Sequence, residues 1–183
     1  MKSYFVFVDE SYRPDIFALS VVWTKNKTEP CKIKNEALKK IRKEKYHFHF
    51  KNDDDEIRKN FMNTILKSSI NFGIILTEYP SSCSEYARYY IAEVINNLPV
   101  EENSRVVITI KGINDWINKK KCKINEEVIR WIRKRIFYTI KFNDKAGLEI
   151  ADYIASAYTY CKFQKDNFCE PLENKLTFLV RIR

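Results

Sequence analysis

The sequence predicts a single α/β domain, residues 1–183, built around a mixed β-sheet. Two strand-like segments come first, and further strands then alternate with amphipathic helices, which is the order of a mixed-sheet α/β or α+β domain. A length of 183 residues matches one domain. Hydrophobic residues make up 45% of the chain, which is enough for a full core and excludes disorder over most of it.

The first part of the chain predicts a hairpin and a basic helix. Tyr4–Asp9 is apolar on both faces, as expected of a central strand. A turn over Glu10–Asp15 leads into a second strand, Ile16–Trp23. Lys32–Lys45 has the pattern of a weakly amphipathic basic helix, and the short segment Tyr46–Phe50 follows it.

The rest of the chain alternates helices and strands. A helix over Asn52–Ser68 carries acids in its first turn, where they complement the helix dipole. The later elements are a strand Ile70–Thr77, a helix from Pro80 to Leu98, a strand Arg105–Ile110, a helix Glu126–Arg135, a strand Ile136–Phe142 and a helix Gly147–Cys161. The last helix has the clearest pattern, and one short element follows it in the tail.

Composition excludes several classes of protein. Gly73, Gly112 and Gly147 cannot form a GxGxxG or GxxxxGK[ST] motif, which excludes nucleotide binding through a glycine-rich loop. No apolar run approaches the ~18–20 residues that span a bilayer, so we expect no membrane partner. The first apolar stretch is also too short for the core of a signal peptide.

The cysteines indicate a reducing environment. They number five, are widely spaced and contain no CxxC pair. This pattern predicts neither a zinc ribbon nor a disulfide framework, and it favours a cytoplasmic location.

The charge balance fits an anionic partner such as nucleic acid, although many basic proteins bind none. The formal net charge is +9, and basic residues cluster at Lys32–Lys45, Lys119–Lys123 and Arg130–Arg135. Aromatic residues within and after the last cluster suit a surface that binds nucleic acid by charge and stacking. The alternative, which we favour for this helix, is that Ile129, Ile132 and Ile136 face the core and the cations face solvent.

Asp9 is the first candidate for a functional site. A carboxylate that ends a buried strand is poorly solvated unless it meets a cation or a metal ion, and ligands gather at the carboxyl ends of strands in α/β sheets. Alternation along the strand sends Asp9 and Glu10 to opposite faces, so at most one of them joins a given site unless the strand has ended. The alternative is that Asp9 caps the following turn.

Asp152 is the second candidate, because Asp is a mediocre helix former inside a helix of small and apolar residues. It either pairs with a buried cation or belongs to a metal site, and Glu149 projects beside it one turn earlier. Asp144, just before the helix, is equally explained as a metal ligand or as a capping residue.

His47 and His49 are the only histidines, and strand alternation would place both on one face. They resemble half of a two-imidazole metal site, but no nearby His or Cys completes zinc coordination. One of them could donate a proton to a leaving oxygen. Equally, both could be half-exposed strand residues without a catalytic role.

Three segments of the chain carry a family resemblance. They are Phe5–Ser11 (FVFVDES), Phe48–Phe50 (FHF) with Asp55–Arg58 (DEIR), and Asp144–Ala155 (DKAGLEIADYIA). In this order they resemble the "domain of unknown function 3800" family and span nearly the whole chain. That family is regarded as ribonuclease H-like in fold and is presumed to contain metal-dependent nucleases, so the resemblance implies this fold and this activity.

The resemblance also implies roles for individual residues. Asp9 corresponds to the acid of the first strand, Asp152 to the acid of the last helix and His49 to a frequent histidine of the family, while Glu149 stands where an amide or acid precedes the final Asp. One position departs from the family: the strand Arg105–Ile110 is followed by Lys111, where such proteins often present another acid.

The implied reaction is hydrolysis of phosphodiester bonds in DNA or RNA by two Mg²⁺ or Mn²⁺ ions held by carboxylates. Asp9 would bridge the ions, Asp152 would hold one of them, and Glu149 or Asp144 would bind through water. The alternative is a nucleic-acid-binding or scaffold protein that keeps this fold without catalysis, as Lys111 suggests. A weaker alternative is a basic protein that binds another protein.

Overall fold

A long antiparallel hairpin forms the centre of the sheet. In the computed structural model, which describes residues 1–111, 121–141 and 145–183, strand β1 (Ser3–Arg13) pairs with β2 (Ile16–Thr24). The turn consists of Pro14 and Asp15, and Asp15 takes the left-handed conformation (φ 65°) that Asp tolerates well. The prediction of a turn over 10–15 was therefore wrong, because residues 9–13 continue the β1–β2 ladder.

The sheet grows from both sides of this hairpin. Its other strands are β3 (Asn71–Thr77), β4 (Arg105–Ile110), β5 (Phe137–Lys141) and β6 (Leu179–Arg181). β3 is antiparallel to β2, whereas β4 is parallel to β1, β5 to β4 and β6 to β3. The strand order over the described residues is β5-β4-β1-β2-β3-β6, which confirms the predicted mixed-sheet α/β domain.

Helices cover both faces of the sheet. They are α1 (Glu29–Lys40), α2 (Asp55–Lys67), α3 (Cys83–Ala87), a π-helical turn (Arg88–Ala92), α4 (Glu93–Asn97), α5 (Ile124–Ile129), α6 (Lys145–Cys161) and α7 (Cys169–Lys175). The core on one face joins Phe7 of β1 to α1, α2, α6 and α7, while the core on the other joins Val6 and Val8 to the segment 83–97 and α5. None of the described helices is long and apolar enough to cross a membrane.

Three predicted elements differ from the structure. The segment Tyr46–Phe50 is irregular rather than a strand. The helix predicted to reach Arg135 ends at Ile129, whose side chain is exposed, so Ile129 does not belong to a core-facing stripe. The tail contains two short elements, α7 and β6, rather than one.

Helix α6 packs unusually close to the hairpin. The Oγ of Ser20 in β2 donates a hydrogen bond to the Ala151 carbonyl at 2.6 Å, and Ser11 of β1 bonds Thr159 at 2.9 Å between hydroxyls. At Gly147, an added Cβ would overlap the buried ring of Phe7. Glycine and small residues therefore let α6 approach the sheet, which brings its side chains next to those of β1.

Gly147→Ala is expected to destabilise the protein by about 1–3 kcal/mol, because the new methyl group overpacks against Phe7. Helix propensity alone predicts the opposite sign, a gain of about 1 kcal/mol. Urea unfolding measures the difference, and in a Phe7→Leu background the cost should shrink. An increase in stability on Gly147→Ala would contradict the close approach.

The structure contains two disulfides, Cys83–Cys122 and Cys161–Cys169, each with a Cα–Cα distance of 5.6 Å. Cys31 is a free and exposed thiol. The prediction that the cysteines form no disulfide framework was wrong, because the fold brings together residues that are 39 positions apart in one pair. The cytoplasmic location stays a prediction, without the support of the cysteine pattern.

The disulfides can be tested by counting thiols. The denatured but unreduced chain should react with iodoacetamide at Cys31 alone, and with all five cysteines after reduction. Peptide mass spectrometry identifies the labelled residues. Reaction of Cys83 or Cys161 before reduction would show that the corresponding bond does not form in the purified protein.

Candidate active site

An open edge of β1 creates a cleft. The parallel ladder between β1 and β4 ends where Val8 meets Ile110, whereas the ladder between β1 and β2 continues to Arg13. Among the described residues, no strand pairs with this side of β1 beyond Val8. A cleft of about 670 Å³ lies here, lined by Asp9, Glu10, Tyr12, Phe17, His49, Lys51, Tyr79, Lys111 and Asp152.

Asp9 and Glu10 both line this cleft, so the expectation that at most one of them joins a site was wrong. Alternation does put them on opposite faces of β1, but the open edge lets both carboxyl groups reach the same space. The backbone N–H of Glu10 donates to Oδ1 of Asp9 at 2.9 Å. Sequence reasoning did not place Glu10 in the site with Asp9, because it could not show that the β1–β4 ladder ends at Val8, one residue before Asp9.

Each of the two carboxyl groups has a buried oxygen without a hydrogen-bond partner among the described residues. Asp9 is only 3% exposed, and its Oδ2 has no hydrogen-bond partner among the described residues. Oε2 of the half-buried Glu10 likewise has no hydrogen-bond partner among the described residues. Buried carboxylate oxygens without donors are costly, so the pair favours the arrival of a proton or a cation.

Burial is the main cause of the raised pKa values of this pair. It raises the pKa of Asp9 well above its ordinary value; the Glu10 and Asp152 carboxylates raise it further, while the Lys111 ammonium opposes them. Burial also raises the pKa of Glu10. Ionisable groups shifted in this way, and facing a cleft, are characteristic of functional sites.

Asp152 joins the site from α6. Its Oδ2 accepts a hydrogen bond from the backbone N–H of Phe50 at 3.1 Å, and its Oδ1 lies 3.9 Å from Nε2 of His49. The Asp152 charge acts on Asp9, as the pKa of Asp9 reflects. The structure thus brings Asp9, Asp152 and His49 to one cleft, as a metal ion shared by Asp9 and Asp152 would require.

A buried carboxylate fixes the irregular segment that carries His49. Asp53 accepts hydrogen bonds from the Tyr46 hydroxyl at 2.6 Å, from the backbone N–H of His49 at 3.1 Å and from the Tyr153 hydroxyl. Tyr153 belongs to α6, so Asp53 ties the segment to the same helix that presents Asp152. Sequence reasoning named Asp53 only among the acids of residues 53–56 that could replace a missing metal ligand; its role in holding this segment is visible only through its three partners.

Glu149 and His47 contact each other, and neither is among the residues that line the cleft. Glu149 is buried and accepts from Lys34 of α1 at 2.8 Å and from Nδ1 of His47 at 2.5 Å. The prediction that His47 and His49 share a strand face was wrong, because their segment is irregular: His47 bonds Glu149, whereas His49 faces Asp152. Asp144 lies outside the described residues.

Lys111 occupies the end of β4. Its Nζ lies 3.7 Å from Oδ2 of Asp9, the oxygen that has no hydrogen-bond partner. Lys51 lines the same cleft. The position at which the family resemblance predicted a further acid therefore holds a cation directed at Asp9.

The donor set has the chemistry of a site for a hard cation, but not a complete protein cage. Asp9, Glu10 and Asp152 offer carboxylate oxygens, the ligand type that Mg²⁺ and Mn²⁺ prefer. Within the described ranges, no group of three or more His, Cys, Asp or Glu side chains is arranged to hold a metal ion. Mg²⁺ usually binds through one or two carboxylates, several waters and substrate phosphates, so the two orphaned oxygens fit such a site.

Comparisons with protein families, with curated proteins and with solved structures each find no match to this chain. The function therefore has to follow from the chemistry of the cleft.

Asp9→Asn should change how stability depends on pH in metal-free buffer. A carboxyl group with a raised pKa in the folded state binds its proton more tightly there, so the free energy of unfolding falls as pH rises from about pH 4 through the native pKa. Asn does not ionise, so the variant should be more stable than wild type at pH 7 and close to it at about pH 4.

Urea unfolding in EDTA over this pH range measures the effect. Glu44→Gln, which removes an exposed carboxylate outside the cleft, is the matched control and should change stability little. Equal destabilisation by Asp9→Asn at both ends of the pH range would contradict a raised pKa of Asp9 in the folded protein.

Proposed function

We propose that this protein is a metal-dependent nuclease that hydrolyses phosphodiester bonds of DNA or RNA at the cleft beside β1. The observation that carries the proposal is the pair of adjacent acids opposite Asp152, buried Asp9 and half-buried Glu10, each with a buried carboxylate oxygen that has no hydrogen-bond partner among the described residues. Buried acids without donors are expected where a cation completes the site.

The arrangement of strands supports a ribonuclease H-like domain, as the sequence resemblance implies. Three successive antiparallel strands, β1 to β3, are followed by β4 and β5, which extend the sheet in parallel from the other side of β1. We infer that this is the sheet of a ribonuclease H-like domain, the fold that the sequence resemblance implies. The candidate acids then come from the central strand and from a helix packed across it, which is where that fold carries its catalytic carboxylates.

The acids, the lysines and the histidine that line the cleft each have a role in this proposal. Asp9, Glu10 and Asp152 would hold Mg²⁺ or Mn²⁺, which supplies activated water and charge neutralisation at the phosphate. His49, oriented by Asp53 through its backbone, can donate a proton to the leaving oxygen. Lys51 and Lys111 attract the phosphate backbone, in keeping with the net charge of +9.

Lys111 favours a second candidate function, binding of nucleic acid without catalysis. Its ammonium group, 3.7 Å from Asp9, partly neutralises the acid that would otherwise bind a cation. In this alternative, the protein keeps the fold and the basic cleft, and Lys111 replaces the metal ion as the counter-charge of Asp9.

Cleavage assays with Mn²⁺ and Mg²⁺ test the first candidate. Asp9→Asn and Asp152→Asn should each lower the cleavage rate at least about a hundredfold, because each removes a carboxylate that holds the ions. Glu44→Gln, an exposed carboxylate outside the cleft, should keep the wild-type rate. Single- and double-stranded DNA and RNA serve as substrates, since either polymer fits the proposal.

A second readout separates loss of metal from loss of chemistry. Mn²⁺ should raise the melting temperature of the wild-type protein at pH 7 and have less effect on Asp9→Asn. If no substrate is cleaved and neither ion changes the melting temperature, the nuclease proposal fails. Salt-sensitive binding of nucleic acid that weakens on Lys111→Ala would then support the binding function.

A further inference from the structure

We propose that the cleft selects single-stranded nucleic acid, by stacking unpaired bases on Tyr12 and Tyr79. This inference rests on the proposed function, since it names the substrate class of the same site. Both tyrosines line the cleft that contains Asp9 and Asp152. Their side chains are nevertheless open to solvent, with 63% and 65% of their surface exposed.

The tyrosines belong to one aromatic surface, formed by Tyr12, Phe17 and Tyr79. Tyr12 lies two residues beyond Glu10 on the same face of β1, and its neighbour in the hairpin ladder is Phe17 of β2. The buried Phe17 ring contacts the Tyr79 ring edge-on, with centroids 5.7 Å apart and planes at 83°. Phe17 thus contacts Tyr79 from the protein side, and most of the Tyr79 side chain stays exposed and can contact a ligand.

Charge and exposure together identify the occupant. The exposed tyrosine rings lie beside charged groups, because Lys51 and Lys111 line the same cleft as the acids. Aromatic rings combined with cations are the elements that bind single strands, because each base has a face that stacks and each phosphate a negative charge. A chain with a net charge of +9 suits such a polyanion better than it suits a basic or neutral partner.

The dimensions of the cleft favour a single strand over a duplex. Its volume of about 670 Å³ is that of a pocket for a small organic ligand, which corresponds to one or two nucleotides. In a double helix the base faces stack on one another, so they are not available to protein side chains unless the base is extruded. Tyr12 and Tyr79 can therefore contribute to binding only when the bases are unpaired.

Fluorescence anisotropy in EDTA, where cleavage cannot proceed, measures the binding directly. The ligands are labelled oligonucleotides of about 12 residues, single-stranded DNA, single-stranded RNA and a duplex of equal length. Tyr12→Ala and Tyr79→Ala should each weaken binding of a single strand about tenfold, the loss of one stacked base. Duplex binding should change little, and the DNA and RNA arms show which sugar the cleft prefers.

Two controls isolate stacking from charge and from folding. Phe163→Ala removes an exposed aromatic ring outside the cleft and should keep wild-type affinity. An oligonucleotide of abasic sites keeps the phosphates but lacks bases, so wild type should bind it about as weakly as the tyrosine variants bind the normal strand. Tyr12→Phe and Tyr79→Phe keep the rings and should keep the affinity.

The outcomes separate this inference from the nuclease proposal. Tyrosine variants that bind single strands as tightly as wild type, or wild type that binds a duplex at least as tightly, would overturn the stacking inference, whether or not the protein cleaves. Binding to an acidic protein but to no form of nucleic acid would overturn it as well. Tyrosine-dependent binding without any metal-dependent cleavage would uphold it and refute the nuclease.

Discussion

The crowding of carboxylates at the open edge of β1 is the interaction on which the rest of the site depends. Asp9 is buried and its neighbour Glu10 is half-buried; both are incompletely hydrogen-bonded among the described residues, and burial raises the pKa of both. A well-packed core would not retain two such groups unless something compensates for their desolvation. Among the described residues, the ammonium group of Lys111, 3.7 Å from Oδ2 of Asp9, offers a counter-charge.

Backbone architecture creates this crowding. Within the part of the chain that the structure describes, β4 ends at Ile110 while β1 continues along β2, so this edge of β1 has no partner strand from Asp9 onward. α6 packs close to the hairpin through Gly147 and the hydrogen bond from Ser20 to Ala151, and this approach carries Asp152 to the same edge. The irregular segment that presents His49 is then held against α6 by its hydrogen bonds to Asp152 and Asp53.

Much of the fold was predictable from sequence, because apolar periodicity reflects burial. The strand Arg105–Ile110 was predicted with its observed bounds, and the hairpin, β3 and α6 were predicted within a few residues. The errors fall where local pattern and tertiary context diverge. Residues 10–13 contain turn-forming types yet stay extended because β2 pairs with them, and Tyr46–Phe50 alternates like a strand without a partner strand to pair with among the described residues.

By itself, the sequence determined which acids are unusual, since Asp9 and Asp152 interrupt apolar segments and are conspicuous for their solvation cost. Tertiary structure decided which side chains meet. It added Glu10, Lys111 and two exposed tyrosines to the cleft. It also paired Glu149 with Lys34 and His47. It also joined cysteines that are distant in the chain. The reason is that the spacing of residues along one element fixes the direction of each side chain. The lengths and positions of the neighbouring elements decide which other residues that side chain meets.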